Sequence, residues 1–344
     1  MPSMISSSPR IGAASVLLSC ILAPAAAIAQ PVSNPAATQR LGGGAVSLTD
    51  ENKTKADLPA WQLWLRGAGE FTFAADLDDD AGASGTQGEV SIARASTGLT
   101  FLGPIGDRAR LNIDLTGEVS WYNFENGGAL LPPASALPAG TVTDSLFDEV
   151  YEVGVAPILA FVIDEQWSWF LGGGVRASGE SGADIGESLT YGGFGGARYA
   201  FSEDLALSFG LGVRTRLEDD PYVLPVLGLE WQINDKVRFA TEGLGARVTA
   251  AIDDEWSVWI SGAYESREFR LEEDGPLPDG VVNDSRFPIG VGVQWKPSAN
   301  LVFEVAGGVV VWQEFEIDDS DGDEVAEVQT DPAAFIRAGV RIAF

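Results

Sequence analysis

A two-residue alternation between apolar and polar side chains runs through this chain and commits it to β-structure. In the stretch 334–344, Ala334, Ile336, Ala338, Val340, Ile342 and Phe344 fall on one face, with Phe335, Arg337, Gly339, Arg341 and Ala343 on the other. Side chains of a strand point alternately to its two sides, so one side is apolar while the other carries two arginines. The stretches 108–122, 205–217, 223–233, 256–264 and 287–296 alternate in the same way. After residue 29 no run reaches the ~18 consecutive apolar residues that a transmembrane helix needs. Segments of roughly 10 alternating residues, each bounded by turn residues, suit strands that cross a membrane instead.

Alternation alone does not say which face points inward, since soluble sheets alternate too. Strand number decides it. Small barrels fill with side chains at about 8 strands, and larger ones enclose water, so a wide barrel with a dry interior is excluded. The connections also alternate in length. Short turns at 103–107, 164–165, 202–204, 234–235, 253–255 and 297–300 intersperse with longer acidic stretches at 74–87, 123–145, 179–187, 268–284 and 317–332. Short periplasmic turns and long outer loops are the pattern of a bacterial barrel, and a chain that enters and leaves on one side needs an even number of strands. Reading 236–252 as one strand gives an odd number. Splitting it near Gly243 and Gly245 gives two short strands and about 14 in all, with 12 as the other even solution. Such a short pair would leave a notch in the wall. Trp61, Trp167, Trp231, Trp256, Trp295 and Phe344 lie beside short turns and predict an aromatic girdle at that interface.

Residues 1–29 read as a secretory signal peptide, with Arg10, a short apolar run and Ala27-Ile28-Ala29 before the cut. Cys20, the only cysteine, lies inside it; Leu17-Leu18-Ser19-Cys20 also permits a lipoprotein reading. Residues 30–60, rich in small residues and Pro, read as a flexible periplasmic tail, and 61–344 as the barrel. The formal net charge is −29, which opposes nucleic-acid binding. There is no histidine, which excludes Ser-His catalysis and imidazole-held metals or haem. No enzymatic activity and no cofactor are expected.

With the polar face inward, Arg94, Asp114, Glu118, Arg176, Arg198, Arg214, Arg216, Glu230, Arg247, Glu304, Arg337 and Arg341 line the lumen. Interstrand ion pairs account for them; so does a ladder of charges that selects solutes. Asp318, Asp319, Asp321, Asp323 and Glu324 form an oxygen-rich loop suited to a hard cation. Gly322 set as the glycine of an EF-hand places Ile317 and Val328 at ligand positions, so that motif fails. A solvated loop, or a divalent bridge to lipopolysaccharide, remains. The runs Gly172-Gly173-Gly174 and Gly192-Gly193-Phe194-Gly195-Gly196 fall inside strands, where glycine marks a bend or a close approach, with Tyr191, Phe194 and Tyr199 as candidates to cover them.

The terminal Phe344 on an alternating strand resembles the C-terminal signature of outer-membrane barrels. Arg214-Thr215-Arg216-Leu217-Glu218-Asp219-Asp220, Val223-Leu224-Pro225, Glu230-Trp231-Gln232-Ile233-Asn234-Asp235, Phe269-Arg270-Leu271, Asn300-Leu301, 318–324 and Asp331-Pro332-Ala333 resemble the DUF6268 family of bacterial barrel proteins, over about 145–344. The resemblance implies an outer-membrane barrel of a Gram-negative bacterium and brings no activity. Expected partners are outer-membrane lipids, lipopolysaccharide and, through the last strand, the barrel-assembly machinery, with the oligomeric state open. The expected function is a porin-like channel for small polar or charged solutes. The alternatives are a plugged structural or adhesive barrel acting through its acidic loops, and a transporter of small hydrophobic solutes.

Overall fold

A computed structural model describes residues 61–78, 88–125, 130 and 145–344. The expected leader at 1–29 and the expected tail at 30–60 lie outside the described residues. The strands in chain order are β1 (Gln62–Asp78), β2 (Gly88–Ile105), β3 (Ala109–Glu125), β4 (Glu149–Val162), β5 (Trp167–Glu180) and β6 (Leu189–Ala200). They continue as β7 (Leu205–Arg214), β8 (Tyr222–Asn234), β9 (Val237–Glu242), β10 (Gly245–Ala251) and β11 (Trp256–Ala263). The last five are β12 (Glu265–Arg270), β13 (Val281–Ser298), β14 (Leu301–Asp318), β15 (Glu324–Thr330) and β16 (Ala333–Ala343).

At the short-turn end β1 to β11 pair in sequence order, β13 follows β11, β14 follows β13, and β16 joins β14 to β1. β12 prolongs β11 and β15 leads into β16, so the wall is a closed antiparallel barrel of 14 strands. At the long-loop end the ring is smaller. β12 leaves the line of β11, stays on β13, and meets β5 in a parallel bridge at Arg270 and Gly179. β15 pairs there with both β14 and β1. The upper ring is therefore β1, β2, β3, β4, β5, β12, β13, β14 and β15, nine strands with one parallel contact. An odd ring requires one such contact.

β6 to β11 stop short of this upper tier. Glycine takes the positive φ of 58° at Gly243, the first residue of the two-residue turn between β9 and β10. β9 has 6 residues, about 20 Å of strand before tilt, less than the apolar band of ~25 Å on a membrane barrel. β8 pairs with β9 only from Glu230 to Asn234, which leaves 222–228 without a neighbour on that side. Pro225 lies in this edge, where a missing N–H is tolerated. The result is a notch in the wall, bounded by β8, the β9–β10 turn, β12 and the connection 215–221.

Burial is inverted relative to a soluble protein. Leu171, Leu211 and Val305 on the outer face are 65%, 63% and 63% exposed, whereas Asp284 and Arg286 inside are 1% and 2% exposed. Charged residues are almost never buried unless paired, and here they fill the interior. Two stretches expected as loops differ. β12 and the start of β13 occupy parts of 268–284, and β14 and β15 occupy parts of 317–332. The strands run on beyond the apolar band, where Asn283, Ser285, Glu314 and Glu316 replace apolar residues on the outer parity, so alternation no longer marks them.

Candidate functional site in the lumen and at the notch

The lumen has three tiers. The nine-stranded end is filled by an apolar core that includes Leu77, Ile92, Tyr122, Phe147, Phe269, Val282, Phe315, Ile317 and Val328. Leu130, Leu146, Leu271 and Leu277 enter it from the connections. The rings interlock, with Phe147 edge-on to Tyr122 at 5.0 Å and to Phe269 at 5.1 Å between centroids. Nine strands are near the width that side chains alone can fill, and this end is capped.

Below the cap lies a layer of paired charges. Glu70 on β1 accepts from Arg337 Nε at 2.6 Å and meets Arg286 Nη1 at 2.7 Å, with Arg94 Nη1 at 3.9 Å. Arg94 donates to Asp284 at 2.7 Å, and Asp284 also accepts from Tyr122 at 2.8 Å and Gln313 at 2.6 Å. Arg286 donates to Glu265 at 2.8 Å, and Arg267 pairs with Glu118 across the lumen. Because Glu265 and Arg267 are carried by β12, these contacts hold β12 inside the barrel. Two further pairs, Arg216 with Glu268 at 3.1 Å and Arg270 with Glu218, tie the connection 215–221 to β12 over the top of the notch.

The third tier, toward the short-turn end, is the wide 14-stranded section. Arg66 donates to Thr100 at 2.8 Å and Asp114 at 3.0 Å. Arg198 and Arg238 share Glu230 at 3.5 and 3.4 Å. Arg247 reaches Glu242 at 3.1 Å and Glu304 at 3.4 Å and lies 3.9 Å over the Trp259 ring. Along β5, β6 and β7 the inner face is almost bare. The cross-strand rows run Gly174–Gly192–Arg214, Gly172–Phe194–Gly212 and Phe170–Gly196–Gly210. A Cβ on Gly172 would sit 2.5 Å from the Phe194 ring and one on Gly196 2.6 Å from the Phe170 ring, so glycine is what lets these rings lie flat on the wall. Phe194 covers the glycines as expected, together with Phe170. Tyr199 instead packs against Trp167 at 4.7 Å, and Tyr191 is exposed.

The 12 expected lumen residues have these positions. Arg94, Asp114, Glu118, Arg176, Arg198, Arg214, Glu230, Arg247, Glu304, Arg337 and Arg341 are on inward strand positions, and Arg216 is in the connection after β7. Sequence reading missed Glu265, Arg267, Glu268, Arg270, Asp284 and Arg286, all in or beside an expected loop. The spacing Glu265-x-Arg267-x-Phe269 was the available signal. Trp61, Trp167, Trp231, Trp256, Trp295 and Phe344 are all exposed beside short turns, with Trp256 stacked on Trp295 at 5.6 Å.

The acidic stretch 318–324 forms a turn rather than a cage. Asp319 Oδ1 accepts from the backbone N–H groups of Asp321 at 2.9 Å and Asp323 at 3.0 Å. Asp318 ends β14 and Glu324 begins β15. Among the described residues no group of three or more such side chains is placed to hold a metal ion.

At the loop rim, beyond the apolar band, Glu180 accepts from the backbone N–H groups of Asp148 at 3.3 Å and Glu272 at 3.2 Å. Burial pushes its carboxyl up to about 7. The folded chain holds this proton more tightly than the unfolded one, so the group favours the fold as pH falls through about 7 and opposes it above.

Solved structures similar to this chain include the COG4313 outer membrane channel from Pseudomonas putida F1, at 9% identity over 85% of this chain and 98% of that one, with a TM-score of 0.45. A Pseudomonas aeruginosa FadL homologue matches at 11% identity over 82% and 89%, with a TM-score of 0.40. The Pseudomonas putida toluene transporter TodX matches at 11% over 83% and 89%, with 0.36. No curated protein matches the chain significantly. Residues 143–343 match the family described as "Domain of unknown function (DUF6268)", and the chain belongs to that family.

Proposed function

We propose that this protein is an outer-membrane channel of a Gram-negative bacterium for passive diffusion of small polar or charged solutes. The observation that carries this reading is a charged, 14-stranded lumen inside an apolar exterior, closed at one end by a nine-stranded core. Apolar outer surface is stable only against lipid, and charged groups inside a wide barrel support a wet path. The long-loop end is then extracellular and the aromatic girdle periplasmic.

A second reading, passage of small hydrophobic solutes, is favoured by one feature. The edge of β8 at the notch carries Val223 and Leu227, 70% and 67% exposed on the outer face, so the notch opens onto the apolar band.

Refolded chain in a planar bilayer with a KCl gradient tests the channel. Discrete openings of low conductance are expected, with a reversal potential set by the inner charges. A folded barrel that stays electrically silent overturns the polar-solute route. Uptake of an uncharged apolar solute into liposomes without ion conductance favours the second reading.

A further inference from the structure

Among the ionic groups of the lumen, Arg214 stands apart. Its neighbours are Arg176, Glu268 and Glu152. The carboxylates are engaged elsewhere: Glu152 by Arg176 at 3.4 Å, and Glu268 by Arg216 at 3.1 Å. Arg214 itself forms no ion pair among the described residues and is only partly covered. Beside it Arg176 is 6% exposed; its Nη1 lies 3.4 Å from Glu152 without hydrogen-bond geometry, and its Nη2 has no hydrogen-bond partner. A buried guanidinium with idle N–H groups is costly, and an oxyanion that accepts from it removes that cost.

Both arginines border the bare part of the wall. Arg214 completes the row Gly174–Gly192–Arg214, and Arg176 lies opposite Thr190 one row above. Between the arginines and the rings below them, the inner wall carries only glycine at Gly174 and Gly192. One row below, about 7 Å along the strand, Phe194 lies flat on the wall, and Phe170 is 6.2 Å from it between ring centroids.

Building on the channel reading, we infer that Arg214 and Arg176 form a subsite for the carboxylate of a small organic acid, whose apolar body rests on Phe194 and Phe170. Two guanidiniums match the fork of a carboxylate, and the ring faces take an aromatic or short aliphatic group. The glycines keep this lane open where any Cβ would narrow it. Its upper end lies by the notch, since Arg214 ends β7 beside Tyr222 on the unpaired edge of β8.

The test is a ¹⁹F NMR titration of 4-fluorobenzoate with the refolded chain in detergent micelles, with 4-fluorobenzyl alcohol as the uncharged probe. Saturable line broadening is expected for the acid and not for the alcohol. Arg214→Gln removes a charge-assisted hydrogen bond and should weaken binding by about tenfold or more; Arg214→Lys should weaken it by less. Phe194→Ala should weaken the acid while leaving its preference over the alcohol. No saturable broadening, or equal affinity in Arg214→Gln, overturns the subsite. Open channels without fluorobenzoate binding would overturn the subsite and leave the channel. Binding in an electrically silent barrel would do the reverse.

Discussion

Glu70→Ala is expected to lower the unfolding free energy by about 3–5 kcal/mol, the range for removing one partner of a buried ionic group. Glu70 lies between Arg337 and Arg286, with Arg94 at 3.9 Å. Its side chain is 8% exposed, so little water is at hand to replace it. Loss of the carboxylate leaves Arg337 with only Glu265 at 4.0 Å and brings it into repulsion with Arg286. Glu70→Gln keeps an acceptor and should cost less. Urea titration of the refolded barrel measures both. Equal stability of Glu70→Ala and the native chain would mean that water, rather than this carboxylate, solvates the arginines.

Replacing Phe147 and Phe269 together by alanine should open the capped end. Both rings are about 1% exposed and meet edge-on in the centre of the upper core. Each large-to-small change in such a core costs about 3–5 kcal/mol when the cavity cannot collapse. Here the nine-stranded wall is hydrogen-bonded all round, so collapse is restricted and water can enter. Conductance should rise severalfold over the native chain, with the girdle and the 14-stranded section unchanged. An unaltered conductance would show that ions already bypass the cap.

The barrel was legible because membrane strands obey a period of two under strict selection by lipid outside and water inside. The turn between β9 and β10 and the notch were legible from parity together with Gly243 and Gly245. The cap was not. β12 departs from the wall without a break in composition, since Glu268 to Arg270 open the expected acidic loop 268–284 and Glu265 to Arg267 fall in no expected strand. Its partners Glu118, Ser120, Arg216 and Arg337 come from distant parts of the chain, and no local pattern connects them. Arg214 was recognisable as a lumen residue, but its lack of a carboxylate depends on which acids Arg176 and Arg216 have taken. That follows only from three-dimensional pairing.

The fold rests on β12 crossing to β5. Thiol crosslinking of a Glu180→Cys, Glu272→Cys pair tests this most directly, because Glu272 N–H and the Glu180 carboxylate are 3.2 Å apart. The one native cysteine, Cys20, lies far from both in sequence. A short bifunctional thiol reagent should join the pair in high yield in the folded barrel and not in urea. If β12 instead continued in the wall above β11, six strand spacings of ~4.8 Å would separate it from β5, about 29 Å. Failure of the crosslink in folded protein would contradict the capped, notched barrel.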